Sequence, residues 1–551
     1  KKGIVKLIWH KVVALVQIQL YGVLLIIIQI FQIVLSKGSS IVKLYQAVTP
    51  GKELSTNVYG GWSISHNILR KRVVRKYLMS NNKRYFSIIS RSMKQQLRGE
   101  ESNRAAPVYL SEEFNKEDEN FLNWFVGFAD GESNFTIVLY KNSAGNILSA
   151  TFRFTIELHV DDIEVLNYIK RKLNIGTNIA VYGNSCKFTV VHRKDIYKLI
   201  SIFDKFLLNT TKYLDYLDFK RAFIFYNENK GKDKTKLIDH ILNIKNGMNS
   251  NRTNFNFPSD HKVLISDYWL LGFIEGEGSF FIERKALRAG FLIALGEIQL
   301  PVLEKIKEFL ENSLPFDKYS KFKLKNSSCI SISTSSSGKE NSKPFVRLTV
   351  RNTNVLNNYL IPYLNNFKFL SKKGKDFEDF KIISNSLYNG THRIDEIKSL
   401  IIKLSYTMNN YRLSSSTANL DHSHQEGEVT ALKEIKGFSG NDLNKIINAK
   451  PTIIHLSDGR QVDSITKKEV NRNWTNYVYE LVNSSGEIKL ASTLNEAASI
   501  LNIDARTVKR HLDSKELDAL NEGFLNIKDK KVRRVPVFYP YSKFHSQNSA
   551  S

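Results

Sequence analysis

Two short stretches of the chain set acidic residues where they can do chemistry. Trp124-Phe-Val-Gly-Phe-Ala-Asp-Gly-Glu-Ser-Asn-Phe135 recurs 145 residues later as Trp269-Leu-Leu-Gly-Phe-Ile-Glu-Gly-Glu-Gly-Ser-Phe280. Each ends on a pair of acids, Asp130 with Glu132 and Glu275 with Glu277. Read as helices, the stretches hold these carboxylates at the negative end of the helix dipole, and bringing two such ends together compounds the repulsion. A hard divalent cation relieves it, because carboxylate and carbonyl oxygens are the ligands Mg²⁺ takes, usually with retained water. Paired acids around bound metal suit attack by water on a phosphodiester, since the metal neutralises developing charge and lowers the pKa of its water. A lone acid in such a place is more often a surface residue in a turn. Recurrence within the same Trp-x-x-Gly-Phe-x-acid-Gly frame argues for a site.

The elements that must position these acids follow from the same stretches. Gly127 and Gly131, like Gly272 and Gly276, are four apart, so each pair lies on one helix face without side chains. Glycine inside a helix costs up to ~1 kcal/mol relative to alanine, and close approach of two helix backbones is what such a face permits. Two further landmarks recur in the same order: Lys212-Tyr-Leu-Asp-Tyr-Leu-Asp-Phe219 as Lys373-Gly-Lys-Asp-Phe-Glu-Asp-Phe380, and Met248-Asn-Ser-Asn-Arg252 as Met408-Asn-Asn-Tyr-Arg412. The middle of the chain is therefore a duplication of ~150 residues, its second copy lengthened by a Ser-rich loop over 326–343. After the acidic helix each copy reads as a strand (135–140; 280–283), a strand (151–160; 291–299), a helix (163–173; 302–310), a strand (187–192; 347–351) and a helix (196–207; 355–367). Strands and helices without regular βαβ alternation make an α+β fold.

Length and charge bound the rest. The 551 residues allow three to four domains at ~150 residues each, and 42% hydrophobic residues exclude a mainly disordered or fibrous chain. A net charge of +26 favours polyanionic partners. Residues 1–110 hold 18 Lys/Arg and 3 Asp/Glu, a net of +15, which leaves +11 for the other 441. Residues 12–35 carry no formal charge and are long enough to span a bilayer, and 60–104 has the basic, acid-poor composition of an organelle transit segment; a solvated basic tail is the alternative for both. A first residue other than Met is expected of processing or of in-frame translation from upstream. Cys186 and Cys329 can form neither a disulfide framework nor a four-thiolate zinc site. His422-Ser-His424 lies in a polar linker and is read as no metal site.

Phe125-Val-Gly-Phe-Ala-Asp-Gly-Glu-Ser133 and Leu270-Leu-Gly-Phe-Ile-Glu-Gly-Glu-Gly278 resemble the two motifs of LAGLIDADG homing endonucleases, in the single-chain form encoded in fungal mitochondrial introns. The resemblance covers about 119–413. It implies two pseudo-symmetric αββαββα repeats forming a β-saddle in the DNA major groove, with cleavage of both strands using Mg²⁺, or Mn²⁺ as a substitute. By position, Glu132 and Glu277 correspond to the metal ligands, with the Gly131 and Gly276 carbonyls as further ligands. Lys212 and Lys373 correspond to the basic residues near the scissile phosphates, where a cation stabilises charge or orders the attacking water. Ser133 replaces the last glycine of the first motif, and Glu275 stands where Asp is commoner.

On the strands, Lys187 with Thr189, and Arg347 with Thr349 and Arg351, share a face. Such Arg and Lys pair guanine edges in a major groove or contact phosphates without reading sequence. Glu157, His159 and Glu297 lie near where the family places further polar groups. Downstream, helices over 493–501 and 504–512, with Arg506, Lys509 and Arg510 on the second, make a helix-turn-helix candidate. Leu494-Asn-Glu-Ala-Ala-Ser-Ile-Leu501 and Arg506-Thr-Val-Lys-Arg510 resemble the nuclease-associated helix-turn-helix module. The expected organisation is an N-terminal extension (1–110), two repeats (111–255 and 256–413), a linker (414–470) and a DNA-binding module (471–551). The expected function is a site-specific double-strand DNA endonuclease that spreads its own intron, acting as a monomer in the mitochondrion, with residues 12–35 able to engage a membrane. An RNA maturase that binds the host intron's RNA and assists its splicing, alone or in a chain that does both, is the alternative, and a non-catalytic DNA-binding regulator the third. Two metal-ligating acids favour the first.

Overall fold

Two halves of like topology are arranged about a central pair of helices. The chain is seen in a computed structural model that describes residues 116–231, 233–335, 344–415, 438–470, 474–513, 524–527 and 530–540. The 12–35 and 60–104 segments and the His422 and His424 pair lie outside them. The first half runs α1 (Lys116–Glu132), β1 (Ser133–Lys141), β2 (Ile147–His159), α2 (Ile163–Leu173), β3 (Ala180–Tyr182), β4 (Ser185–Val190), α3 (Arg193–Lys205), α4 (Lys212–Glu228) and α5 (Lys234–Asn246). The second runs α6 (Asp267–Glu277), β5 (Gly278–Glu283), β6 (Arg288–Gly296), α7 (Leu300–Ser313), α8 (Lys318–Lys325), β7 (Ile330–Ser335), β8 (Phe345–Val350), a helical run over 353–364, α9 (Lys373–Asn389) and α10 (Asp395–Ser405). The sheets are antiparallel, ordered β1-β2-β4-β3 and β5-β6-β8-β7.

Local sequence explains the framework. Glu117, Asp118 and Glu119 complement the dipole at the start of α1, and Ser266 begins α6 by accepting from Trp269 N. Both central helices are apolar around most of their circumference because both are enclosed: Trp124, Phe125, Phe128, Trp269, Leu270 and Phe273 are all buried. Register aligns Phe135, Phe154 and Val190 across one sheet and Phe280, Phe291 and Val350 across the other, each row fully buried beneath helices.

Several expectations need correction. The 326–343 run is not loop throughout, since Ile330–Ser335 forms edge strand β7. Ile330 and Ile332 turn to the core while Ser333 stays exposed, so pairing with β8 overrides the weak strand preference of serine. The strand expected over 347–351 ends at Val350, which leaves Arg351 beyond the ladder. Residues 440–463, expected within a linker, fold as α11 (Gly440–Ile447), β9 (Ile453–His455) and β10 (Gln461–Asp463). Ile446, Ile453 and Val462 are buried there, in elements too short to show a periodic pattern. Farther on, β11 (Tyr477–Val482), β12 (Ile488–Ala491), β13 (Leu525–Ile527) and β14 (Lys530–Pro536) form a sheet ordered β12-β11-β14-β13. Two short helices, α12 (Leu494–Leu501) and α13 (Ala505–Asp513), are separated by a turn at left-handed Asn502. Among the described residues no helix is long and apolar enough to cross a membrane.

Candidate active site

The site is set by how closely α1 and α6 touch. A Cβ placed on Gly127 would lie 2.0 Å from the Trp269 carbonyl oxygen, and one on Gly272 would lie 2.0 Å from that of Trp124. Farther along, a Cβ on Gly131 would meet Glu277 Cγ at 3.3 Å, and one on Gly276 would meet Glu132 Cγ at 3.4 Å. The bare faces therefore pack backbone to backbone, and each outer glutamate lies beside the other helix's last glycine.

The two acids of each motif have separate fates. Asp130 is buried and accepts from Asn209 N at 2.8 Å, Thr210 N at 3.0 Å, Thr210 Oγ1 at 2.6 Å and, across the seam, Trp269 Nε1 at 2.9 Å. Glu275 is buried too, and accepts from Leu370 N and Ser371 N as well as from Trp124 Nε1 at 2.8 Å. These inner acids anchor the approaches to α4 and α9, and their charge is met locally by donors rather than by a cation. Burial pushes the pKa of each up while those donors pull it back.

Glu132 and Glu277 remain. Burial pushes both carboxyls above their ordinary range. Lys212 and Lys373 oppose that for Glu132 while Asp162 adds to it, and for Glu277 the facing Glu132 is the next cause after burial. Lys212 Nζ donates to the carbonyls of Ala129, at 3.3 Å, and Gly131. Lys373 Nζ donates to that of Gly278 at 2.6 Å. One lone pair of the Gly131 carbonyl is thus occupied by Lys212. The two lysines sit unalike, one bonded before its acid and the other after. Burial pushes the Lys212 pKa down, against the pull of Asp130, Glu277 and Glu132.

Sequence reasoning missed the groups that join the halves beside this pair. Asp162 accepts from Lys372 N at 2.8 Å, and Gln299 accepts from Thr211 N at 3.1 Å while donating to Thr211 Oγ1 at 2.6 Å. Both lie just after the first hairpin of their half, and each reaches the residue before the opposite half's lysine. Their differing types and remote partners hid the correspondence. The Met-Asn-x-x-Arg landmark has a structural role: Asn249 and Asn409, both at φ 56°, donate to Phe135 O and Phe280 O. Arg252 pairs with Asp215 and Asp218, and Arg412 with Asp376 and Asp379. A cleft of about 430 Å³ opens beside Glu132, lined also by His159, Asp162, Lys372, Lys373 and Arg412.

The expected DNA-contacting residues are spread over the molecule. Lys187 and Thr189 lie on the face of the first sheet away from the core, with Lys187 Nζ 2.6 Å from Glu157. Arg153 joins that face and donates to Tyr140 OH at 2.7 Å. Arg347 and Thr349 occupy the corresponding face of the second sheet, Arg347 over the Phe345 ring and Arg351 over that of Phe281. His159 bonds Ser415 Oγ at 2.9 Å, and Glu297 is exposed. Arg506, Lys509 and Arg510 are exposed on α13, remote in sequence from both sheets.

The donor set fits a hard cation. Among the described residues no group of three or more His, Cys, Asp or Glu could hold a metal, so a zinc-type cage is not offered. Two facing carboxylates with a carbonyl and open space match Mg²⁺, which is commonly held by one or two carboxylates together with substrate phosphates and water.

The family described as LAGLIDADG endonuclease matches residues 125–223 and 270–384. The uncharacterized mitochondrial protein RF1 of Saccharomyces cerevisiae is 29% identical over 309 residues, 55% of this chain and 62% of that protein. The probable intron-encoded endonuclease Cox1-I1b of Schizosaccharomyces pombe is 36% identical over 231 residues, 40% of this chain and 57% of that protein. The chain thus spans about three fifths of the length of these relatives. The crystal structure of the LAGLIDADG homing endonuclease I-GzeII in complex with its DNA target is similar at a TM-score of 0.44 and 25% identity, over 53% of this chain and 99% of that one.

Proposed function

We propose, on the match of residues 125–223 and 270–384 to the LAGLIDADG endonuclease family, that the protein cuts both strands of duplex DNA at a specific site, spreading the intron that encodes it. The observation that carries this reading is that Glu132 and Glu277 each lie beside the other helix's last glycine across the α1–α6 seam, close enough for Glu132 to raise the pKa of Glu277. Glu132 and Glu277, with the Gly276 carbonyl, are the groups that would hold Mg²⁺ or a substituting Mn²⁺. Bound there, the metal lowers the pKa of its water and neutralises phosphodiester charge. Lys212 and Lys373 put one ammonium on each side of the pair, where each offsets charge on one strand's phosphate. Asp162 and Gln299 fix the backbone that carries those lysines. Lys187, Thr189, Arg347, Thr349 and Arg351, with Arg153, contact the duplex from the saddle.

Both acids come from one chain, so a single copy completes the site and the working form is a monomer. The mitochondrion is the proposed location, in keeping with the named source of the yeast relative. A maturase acting on intron RNA has no use for two mutually repelling carboxylates, and we set it aside. To test the nuclease reading, the full chain is incubated with Mg²⁺ and a randomised duplex library, and cut ends are recovered and sequenced. Glu132→Gln and Glu277→Gln should bind the recovered target but cut it at least about a thousandfold more slowly. Cutting at the parental rate by either variant refutes the assignment.

A further inference from the structure

The C-terminal sheet is fastened to the second half through its own two faces. Tyr477, Tyr479 and Leu481 of β11 pack with Ala497, Leu501, Val508 and Leu512 beneath α12 and α13. The alternate residues point the other way: Val478 joins the core of the repeats, and Glu480, 2% exposed, accepts from Tyr319 OH of α8 at 2.7 Å. The seam continues with Lys323 Nζ donating to Ser492 O at 2.7 Å and Thr475 Oγ1 at 3.0 Å. Asn358 Nδ2 donates to Phe538 O at 2.8 Å, Tyr359 OH donates to Tyr539 O at 2.9 Å, and Phe538 N donates to Ser320 Oγ at 2.9 Å. These contacts all end on the second half.

On its far side the sheet grips the helices. Arg534, 7% exposed, donates to Asp513 Oδ1 at 2.5 Å and to Leu512 O at the end of α13, where a cation also meets the helix dipole. Lys530 Nζ donates to Ile500 O at 2.9 Å. With Val508 and Leu512 buried, Arg506, Lys509 and Arg510 turn outward at helical spacing. A continuous path of buried contacts therefore runs from α8 to the cationic face of α13.

We propose that α13 is a second DNA-binding element held in fixed register to the second repeat. It engages the duplex flanking that repeat's half-site, on that side alone, as a rigid outrigger. This placement rests on the reading of the repeats as a DNA-binding nuclease. Phosphate binding by the three cations supplies affinity that falls steeply with salt.

The test uses the full chain on its recovered target, with an iron–EDTA reagent attached through Ser499→Cys on exposed α12 or Ser333→Cys on exposed β7, since the native cysteines are buried. Radical cuts from position 333 mark the second repeat's half-site. Cuts from position 499 should form one narrow window on the same side, farther from the centre. Removing flanking DNA on that side should weaken binding by about tenfold, and removing it on the other side should not. Replacing Arg506, Lys509 and Arg510 together by Ala should lower the salt slope by about 0.9 for each phosphate no longer neutralised. A chain that binds and cuts DNA while cuts from position 499 are absent, two-sided or on the first repeat's side overturns the placement alone. A chain that neither binds nor cuts overturns the reading beneath it.

Discussion

At the scale of single residues, the motif's two acids divide the labour. Asp130 and Glu275 are spent on architecture, each surrounded by donors, while Glu132 and Glu277 are left to repel one another. Because both outer carboxyls have a folded-state pKa above the unfolded value, the folded chain binds more protons over the interval between the two. The contribution of this pair to metal-free stability is therefore most favourable at low pH and declines as the pH rises from about 4.5 through the raised values. Glu132→Gln should melt at a higher temperature than the parent in EDTA at neutral pH, and the gap should close below pH ~4. Saturating Mg²⁺ should stabilise the parent by about 2.7 to 4.1 kcal/mol at 100 to 1,000 times its dissociation constant and leave the variant unmoved. Thermal melts across pH, with and without Mg²⁺, read both effects, and an unchanged gap at low pH counts against the facing-carboxylate account. Cleavage should likewise fall as pH drops and the pair takes up protons, read as a single-turnover rate. These glutamates and the two lysines were legible because duplication repeats their frames. Asp162 and Gln299 were not, because their partners lie in the opposite half and their types differ.

Between elements, the decisive fact is how α1 meets α6. Gly127→Ala or Gly272→Ala puts a methyl about where the opposing carbonyl lies, and backbone cannot yield as a side chain does. Each should cost about 3 kcal/mol or more, at or above the usual range for overpacking. Gly131→Ala meets the Glu277 side chain at 3.3 Å, a tight contact that a side chain can relieve by a small shift, and should cost less. Denaturant midpoints of the three variants give the order, and equal losses contradict the packing. The glycine spacing announced this seam in advance. Strand β7 escaped notice because Ser fills its outward positions, and α11 because it is short and holds few buried residues.

Taken whole, the larger core runs from α1 to Phe538 and draws in Val478 and Val537, while a second cluster lies between the C-terminal sheet and α12 and α13. The C-terminal sheet should therefore unfold together with the second half, in a single calorimetric transition, and two resolved peaks would contradict it. Lys323→Ala leaves the Ser492 carbonyl and Thr475 hydroxyl without this partner and should lower stability by about 1 to 3 kcal/mol. Docking of this kind joins polar groups more than 100 residues apart, so no local pattern could disclose it.

The crossed indoles have an evolutionary corollary. Trp124 closes on Glu275 and Trp269 on Asp130, so an exchange that swaps in one lobe from a relative inherits half of each bond. Unless the newcomer's acid reaches as far as the one it replaces, a buried indole N–H is left without its acceptor. The lobes are thus a matched set, and anyone building hybrids must graft each Trp with the acid it faces.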